Sequence, residues 1–359
     1  MGMFNISWYQ GKRVLITGHT GFKGSWLSKL LINAGAEVTG YALEATDENS
    51  LFHLCGIAGK MNSVIGDVRN LHHMQKIFRE VRPEIVIHMA AQPLVRESYK
   101  CPVYTYDVNV MGTVNILECV RLTDCVKSFV NVTTDKVYLN KEWQWGYREI
   151  EELNGFDPYS NSKSCSELVT GSYRNSFFCD RRVAVSTVRA GNVIGGGDFA
   201  VDRIVPDCIR AAQRGENIVV RNPYSIRPYE HVLEPIVVYL MLAKAQYEDI
   251  SYAGSYNVGP DEGDCYTTGD LVTLFCKKWN TATDMSISWK SECDKEKVHE
   301  ARYLKLDCSK LKDVFGWKPH WNIEMAIEKI IEWTKVYLTG GNVARCMDLQ
   351  IEEFLQDDL

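Results

Sequence analysis

The sequence predicts an α/β fold, a doubly wound parallel sheet with a smaller, interleaved C-terminal lobe, and three observations carry that prediction. Residues 13 to 17, RVLIT, form an apolar strand that runs into glycines at 18, 21 and 24. A helix follows, with Trp26, Leu27, Leu30 and Leu31 on one face. Apolar strand segments then recur at 37 to 42, 62 to 65, 85 to 88 and 129 to 132, alternating with helical patterns as in successive βαβ units. Near Val188 the alternation gives way to RAGNVIGGG, a strand followed by a glycine-rich loop, which opens the second half. The expected division is 11–190 for a nucleotide-binding domain, to which about 228–250 return, and 191–345 for the second lobe.

The first βαβ unit predicts a dinucleotide site. Its Gly-x-x-Gly-x-x-Gly turn stands between a strand and a helix, where glycine permits a tight turn and the free amides of the helix start favour a pyrophosphate. Gly18, Thr20, Gly21, Phe22, Lys23 and Gly24 are therefore candidate cofactor contacts. The small residues Ala90 and Ala91, with Gln92 after them, allow close approach at the end of the strand 85 to 88. Asp67, beside Val68, either accepts from an adenine amine or caps the helix starting near Asn70. Asn109 is expected as a buried polar latch between neighbouring strands. Glu44 ends the second strand too late to grip a ribose, and no Arg or Lys follows to hold a 2′-phosphate. NAD is thus the expected cofactor and NADP the alternative.

The chemistry is placed between Phe129 and Lys163. A buried strand at 129 to 132 delivers Thr134, Asp135 and Lys136 to its carboxyl end, where open α/β sheets bind ligands. Asp157 and Pro158 mark a turn into a helix carrying Tyr159 and Lys163 at i, i+4, on one face. An ammonium beside a phenol favours the phenolate, which makes Tyr159 a candidate base.

Composition narrows the classes. The chain has 359 residues, 45% apolar and 24% charged, an ordinary soluble balance for one large or two intimate domains. A formal charge of −6 without a basic run argues against nucleic acid. No apolar run is long enough for a bilayer and no signal peptide is evident, so the expected location is the cytoplasm. The twelve cysteines are scattered without zinc spacing; Cys119 and Cys276 are expected as buried thiols, and no metal site is expected. The helix near Glu324 and the Trp-Lys-Pro at 317 to 319 are expected as terminal packing elements, and the tail EEFLQDDL as frayed.

GHTGFKGSWL, IGDVR, HMAAQPLVRESY, NVMGTVNILE, DPYSNSKSCSELV, VRAGNVIGGGDFAVDRIVPD, RNPYSIRPYEHVLEP and YLKLDCSK resemble, in order, segments of the extended short-chain dehydrogenase/reductases. This is the family of nucleotide-sugar epimerases and dehydratases, and the chain is most similar to its CDP-hexose 4,6-dehydratase branch. The resemblance implies a Rossmann-type fold, NAD, a nucleotide-diphosphate sugar substrate and a homodimer formed through helices such as 103 to 122 and 159 to 178. Tyr159 and Lys163 match the catalytic pair, which also binds the cofactor, and Thr134, Asp135 and Lys136 match the strand-end triad. Thr134 would also orient the substrate. Lys at 136 is similar to the CDP-sugar group, where the dTDP-glucose enzymes carry Glu. Val137, Leu139 and the short stretch 178 to 183 depart from the pattern. The same resemblance offers Asn192, Arg203, Arg227 and His231 as substrate contacts. Each has a plainer reading, as a turn residue, surface arginines and a packing histidine respectively.

Overall fold

The computed structural model describes residues 5–45, 47–179, 183–292 and 301–356. Part of the departing stretch 178 to 183, and the last three residues, therefore lie outside the described residues. The chain divides into two compact units: one holds the chain up to Leu139, Glu149–Ala190 and Ile236–Val258, and the other holds Asn140–Arg148, Gly191–Pro235 and the chain from Gly259 onward.

The first unit is a seven-stranded parallel sheet. Its strands are β1 Arg13–Thr17, β2 Glu37–Ala42, β3 Asn62–Ile65, β4 Ile85–His88, β5 Ser128–Thr134, β6 Ala184–Ala190 and β7 Ser255–Val258. Their order across the sheet is β7-β6-β5-β4-β1-β2-β3. Every pairing is parallel, with Thr17 beside Tyr41 on one side and His88 on the other. Strands β4, β5 and β6 are buried along their whole length, including polar Asn131, Thr133, Thr187 and Arg189, whose side chains must therefore find partners inside. The order reverses at β1, whose neighbours β2 and β4 lead in opposite directions. That places a crevice at the carboxyl ends of β1 and β4, the expected ligand position in an open α/β sheet.

Helices α1 Phe22–Asn33, α2 Leu71–Val81, α3 Gly112–Arg121, α4 Pro158–Tyr173 and α5 Leu233–Glu248 accompany the sheet. Trp26, Leu27, Leu30 and Leu31 of α1 are at most 1% exposed, so each contributes roughly 2–3 kcal/mol of burial. The expected helices over 103–122 and 159–178 are both interrupted. Asp107–Met111 is a π-helical turn leading into α3, and Arg174–Phe178 is another continuing α4. A π turn inserts one residue per turn and redirects side chains, which hydrophobic periodicity does not reveal.

Among the described residues the second unit has three two-stranded pairings, of which Asn192–Ile194 with Tyr229–His231 and Ile226–Arg227 with Tyr266–Thr267 concern the candidate residues. Its core packs helices Ile204–Arg214, Thr268–Ala282 and Ile323–Leu338 through Phe275, Trp279, Ile327, Ile330 and Ile331. Trp317 and Trp321 are buried here. As far as Gln356 the acidic tail is not frayed: Val343–Gln356 is a helix, and Phe354, 1% exposed, packs edge-on against Trp321. Apolar Val343, Met347, Ile351 and Phe354 on one face hold it down despite the acidic residues between them. Among the described residues, no helix is long and apolar enough to cross a membrane.

Candidate active site

In the first unit the glycine turn is shaped by contact as much as by conformation. Gly18 has φ +78, and a Cβ there would lie 2.9 Å from the Ala90 nitrogen, so the mouths of β1 and β4 meet only because residue 18 has no side chain. Gly21 starts α1 as its N-cap without any side-chain cap, leaving the first amides to a ligand. A Cβ at Gly21 would meet nothing closer than the Gly18 carbonyl at 3.4 Å, so that side of the turn is open. An open cradle of glycines at a helix start suits a pyrophosphate. Lys23 lies over the ring of Tyr239 at 6.0 Å, and Thr20 donates to the Leu43 carbonyl at 2.9 Å.

The floor of this crevice is a buried polar chain. Thr17 Oγ1 accepts the amides of Met89 and Ala90, each at 3.1 Å, so its own proton goes to His88 Nδ1 at 2.7 Å. The ring proton of His88 then sits on Nε2, facing Thr113 Oγ1 at 3.4 Å. Burial and the nearby charge of Lys163 push His88 down to about 3, so it is neutral. Asn109 closes the chain from the π turn: its Oδ1 accepts the Gln92 amide, and its Nδ2 donates to the Gln92 carbonyl and to Ser162 Oγ. It therefore latches the loop after β4 to α4, rather than one strand to another.

One of the two readings of Asp67 is corrected. The helix α2 is capped by Asn70, which accepts from the His73 amide, and not by Asp67, whose carboxylate grips Arg69 at 2.6 to 3.1 Å. Those bonds hold Asp67 below its usual range. Val68 is buried, with its carbonyl bonded to Asn115. Gln92 directs its side-chain amide to the Leu94 carbonyl and to Thr105 and accepts the Leu94 amide, bonds that shape the loop after β4. Ala90 and Ala91 remain partly exposed beside Gly18.

The catalytic candidates converge on β5 and α4. Asp157 caps α4, accepting from the Ser160 amide at 3.0 Å, with Pro158 in the first turn. Tyr159, 9% exposed, is anchored by its amide to the buried Ser98 hydroxyl at 3.1 Å. Lys163 reaches from α4 to the Val132 carbonyl at 3.2 Å. Burial and the charge of Lys23 push its ammonium down to about 7, against Glu167, which raises it. At the end of β5, Thr134 Oγ1 donates to Asp135 Oδ1 at 2.9 Å and accepts from the Lys136 amide at 3.4 Å. Asp135 is 1% exposed, whereas Lys136 is half-buried. An acid, an amine, a hydroxyl and a phenol-lysine pair thus stand on one strand end and the helix packed beside it.

The substrate candidates lie in the second unit. Asn192 pairs through its amide with the Pro228 carbonyl. Arg203, just before helix Ile204–Arg214, pairs with Asp198 at 2.9 Å. Arg227 is 7% exposed, not a surface arginine, and its guanidinium donates to the carbonyls of Ile226 and Ala301. His231 is fully buried in a strand, its Nδ1 accepting the Leu233 amide and its ring against Trp321 at 4.8 Å. That favours packing over substrate contact for His231. Among the described residues no group of three or more His, Cys, Asp or Glu is placed to hold a metal ion.

Sequence reading missed three buried polar residues. His19 is enclosed, bonded to Ser63 at 2.8 Å and edge-on to Phe52. A Cβ on Gly40 would fall 2.2 Å from its ring, so the glycine inside β2 was the available signal. Glu167 and Arg189 form an ion pair at 2.8 Å with both side chains at most 3% exposed. Their signal was charge within otherwise buried segments.

Comparison with known proteins identifies the family. Residues 15–330 match the family described as GDP-mannose 4,6 dehydratase. The chain is 45% identical to CDP-glucose 4,6-dehydratase of Salmonella typhimurium, over 98% of this chain and 99% of that one. Among solved structures it is similar to UDP-glucose 4-epimerase of Thermotoga maritima with UDP-glucose, at TM-score 0.77 and 22% identity, over 90% of this chain and 99% of that one. It is also similar to dTDP-glucose 4,6-dehydratase of Bacillus anthracis in complex with NAD, at TM-score 0.75 and 19% identity, over 92% and 99%. The family model covers most of the chain and the relative nearly all of it, and the chain belongs to the GDP-mannose 4,6 dehydratase family.

Proposed function

We propose that the protein is a hydro-lyase that binds NAD and converts CDP-D-glucose to the 4-keto-6-deoxy sugar nucleotide. One observation carries the reading: Asp135 and Lys136 stand in the 3-10 turn directly after the strand whose backbone at Val132 holds Lys163, so an acid and an amine follow the strand that anchors the Tyr159–Lys163 pair. A 4-epimerase needs the phenol-lysine pair alone. The 45% identity to a CDP-glucose 4,6-dehydratase supports the base and the hexose.

The turn Gly18 to Gly24 would hold NAD, which would supply reversible hydride chemistry, so that the hydride from C4 ends on C6 without net use of the cofactor. Tyr159 accepts the C4 hydroxyl proton, and the Lys163 charge favours its phenolate. Thr134 orients the C4 oxygen. The C4 ketone acidifies the C5 hydrogen, for which Lys136 is assigned as base, while Asp135 is assigned as the acid toward the departing C6 hydroxyl, which leaves as water. C5 regains a proton and C6 becomes a methyl group, so the net change is loss of one water. Asn192, Arg203 and Arg227 are assigned to the sugar nucleotide, the arginines to its phosphates. The protein is further assigned to the cytoplasm as a homodimer, and exposed Val103, Met111, Leu168 and Phe177 on the two helical stretches support that pairing.

The test follows one hydrogen. Substrate deuterated at C4 should give a product labelled in its C6 methyl group, and unlabelled substrate in heavy water should gain deuterium at C5. Deuterium retained at C4 of an intact hexose would refute the dehydratase reading in favour of an epimerase.

A further inference from the structure

The segment Thr134 to Val137 is bracketed by two side chains that lead to one buried ion pair. On its near side Thr133 Oγ1 donates to Glu167 Oε1 at 2.5 Å. On its far side the Tyr138 hydroxyl accepts from Arg189 Nη1 at 2.8 Å and donates to Asn257 Oδ1 at 2.6 Å. Glu167 and Arg189 close the circuit through Glu167 Oε2 and Arg189 Nη2 at 2.8 Å. Glu167 also accepts from Thr187 at 2.7 Å, and Arg189 donates to the Glu149 carbonyl at 3.0 Å. Glu167 lies one turn beyond Lys163 on α4, at i+4, on the face that carries Tyr159 and Lys163. One pair therefore connects the helix bearing the phenol and lysine to both ends of the strand-end segment bearing the acid and amine.

We propose that the Glu167–Arg189 pair is a positioning element, which fixes Asp135 and Lys136 relative to Tyr159 and Lys163 and so governs elimination more than oxidation. The asymmetry follows from where each group is held. Lys163 is fixed at Val132, inside β5, and Tyr159 is fixed through Ser98 and the Asp157 cap; neither anchor passes through Thr133 or Tyr138. Asp135 and Lys136 lie between Thr133 and Tyr138, and each bracketing bond runs to the pair. Proton transfer at C5 and C6 tolerates little displacement, since an error of about 1 Å in a reacting group can lower a rate about a hundredfold. The inference rests on the dehydratase reading for the roles of the four residues, but not for the placement itself.

Thr133→Val and Tyr138→Phe each remove one bracketing hydroxyl while leaving Glu167 paired with Arg189, so both are expected to fold. On mixing NAD-loaded protein with CDP-D-glucose, the double variant should form reduced cofactor within about threefold of the wild-type rate. Elimination should fall at least about tenfold, so that reduced cofactor accumulates instead of decaying. Independently of turnover, amide hydrogen exchange in the cofactor-free protein should quicken over residues 133 to 138 and stay unchanged over α1. Equal slowing of both half-reactions, or unchanged exchange over 133 to 138, overturns the inference. If the wild type itself carries no label from C4 to the methyl group, it is the dehydratase reading that fails, and the exchange measurement still decides the positioning role.

Discussion

Lys163 donates to the carbonyl of Val132 at 3.2 Å, two residues before the end of β5, so the cation of the phenol-lysine pair is buried against the sheet backbone. Its ammonium is pushed down to about 7 by burial and by Lys23. Between that value and the ordinary lysine value of 10.5, the unfolded chain holds a proton that the folded chain has released. Lys163 therefore lowers stability progressively as pH falls from about 10 to about 7, by roughly 1.4 kcal/mol per pH unit, and by a constant amount below that. Lys163→Met in the cofactor-free protein should raise the urea midpoint at pH 7, with the gain shrinking toward pH 10. A gain that grows with pH contradicts this account.

Acid stability should depend on the neutral histidines. Burial lowers His19 to about 4, and His88 and His231 to about 3, the latter two also through Lys163 and Lys329 respectively. An unfolded histidine binds its proton near 6.5, so each of these groups draws stability down as pH falls below 6.5, by up to about 1.4 kcal/mol per pH unit. Unfolding free energies between pH 7 and pH 5 should show that slope, and His88→Gln should make it shallower. An unchanged slope in that variant would mean that His88 takes up its proton in the folded protein at the same pH as in the unfolded chain.

Tyr159→Phe should leave the fold intact, because the anchor to Ser98 uses the backbone amide and not the ring. Turnover should fall by about two to four orders of magnitude with the thermal midpoint nearly unchanged, since only the proton acceptor is lost. Near-normal turnover would remove Tyr159 from the role of base.

Gly21→Val separates the chain's needs from the ligand's. The protein has room for a Cβ at this position, so the variant should fold with a similar thermal midpoint. The side chain would occupy the space assigned to the pyrophosphate, and NAD retained on purification should drop about tenfold or more. Full retention of NAD would move the cofactor away from this turn.

The sequence by itself pointed to the parallel sheet, because apolar segments in β1, β2, β4 and β5 alternate with helical stripes along the chain. It also determined the local parts of the site. The glycine turn needs only its own strand and helix, and Tyr159 and Lys163 need only helical spacing. Tertiary structure decided what no local pattern encodes. Gly40 makes room for His19, twenty-one residues earlier, and Arg227 is buried by carbonyls at its own neighbour and at Ala301. The π turns at Asp107–Met111 and Arg174–Phe178 break helices whose periodicity looked continuous. Glu167 and Arg189 stand on a helix and a strand whose sequences do not predict the pairing. A buried charge is stable only beside its partner, and which partner it meets depends on how β6 is laid next to β5 and under α4, a relation fixed by packing rather than by spacing along the chain.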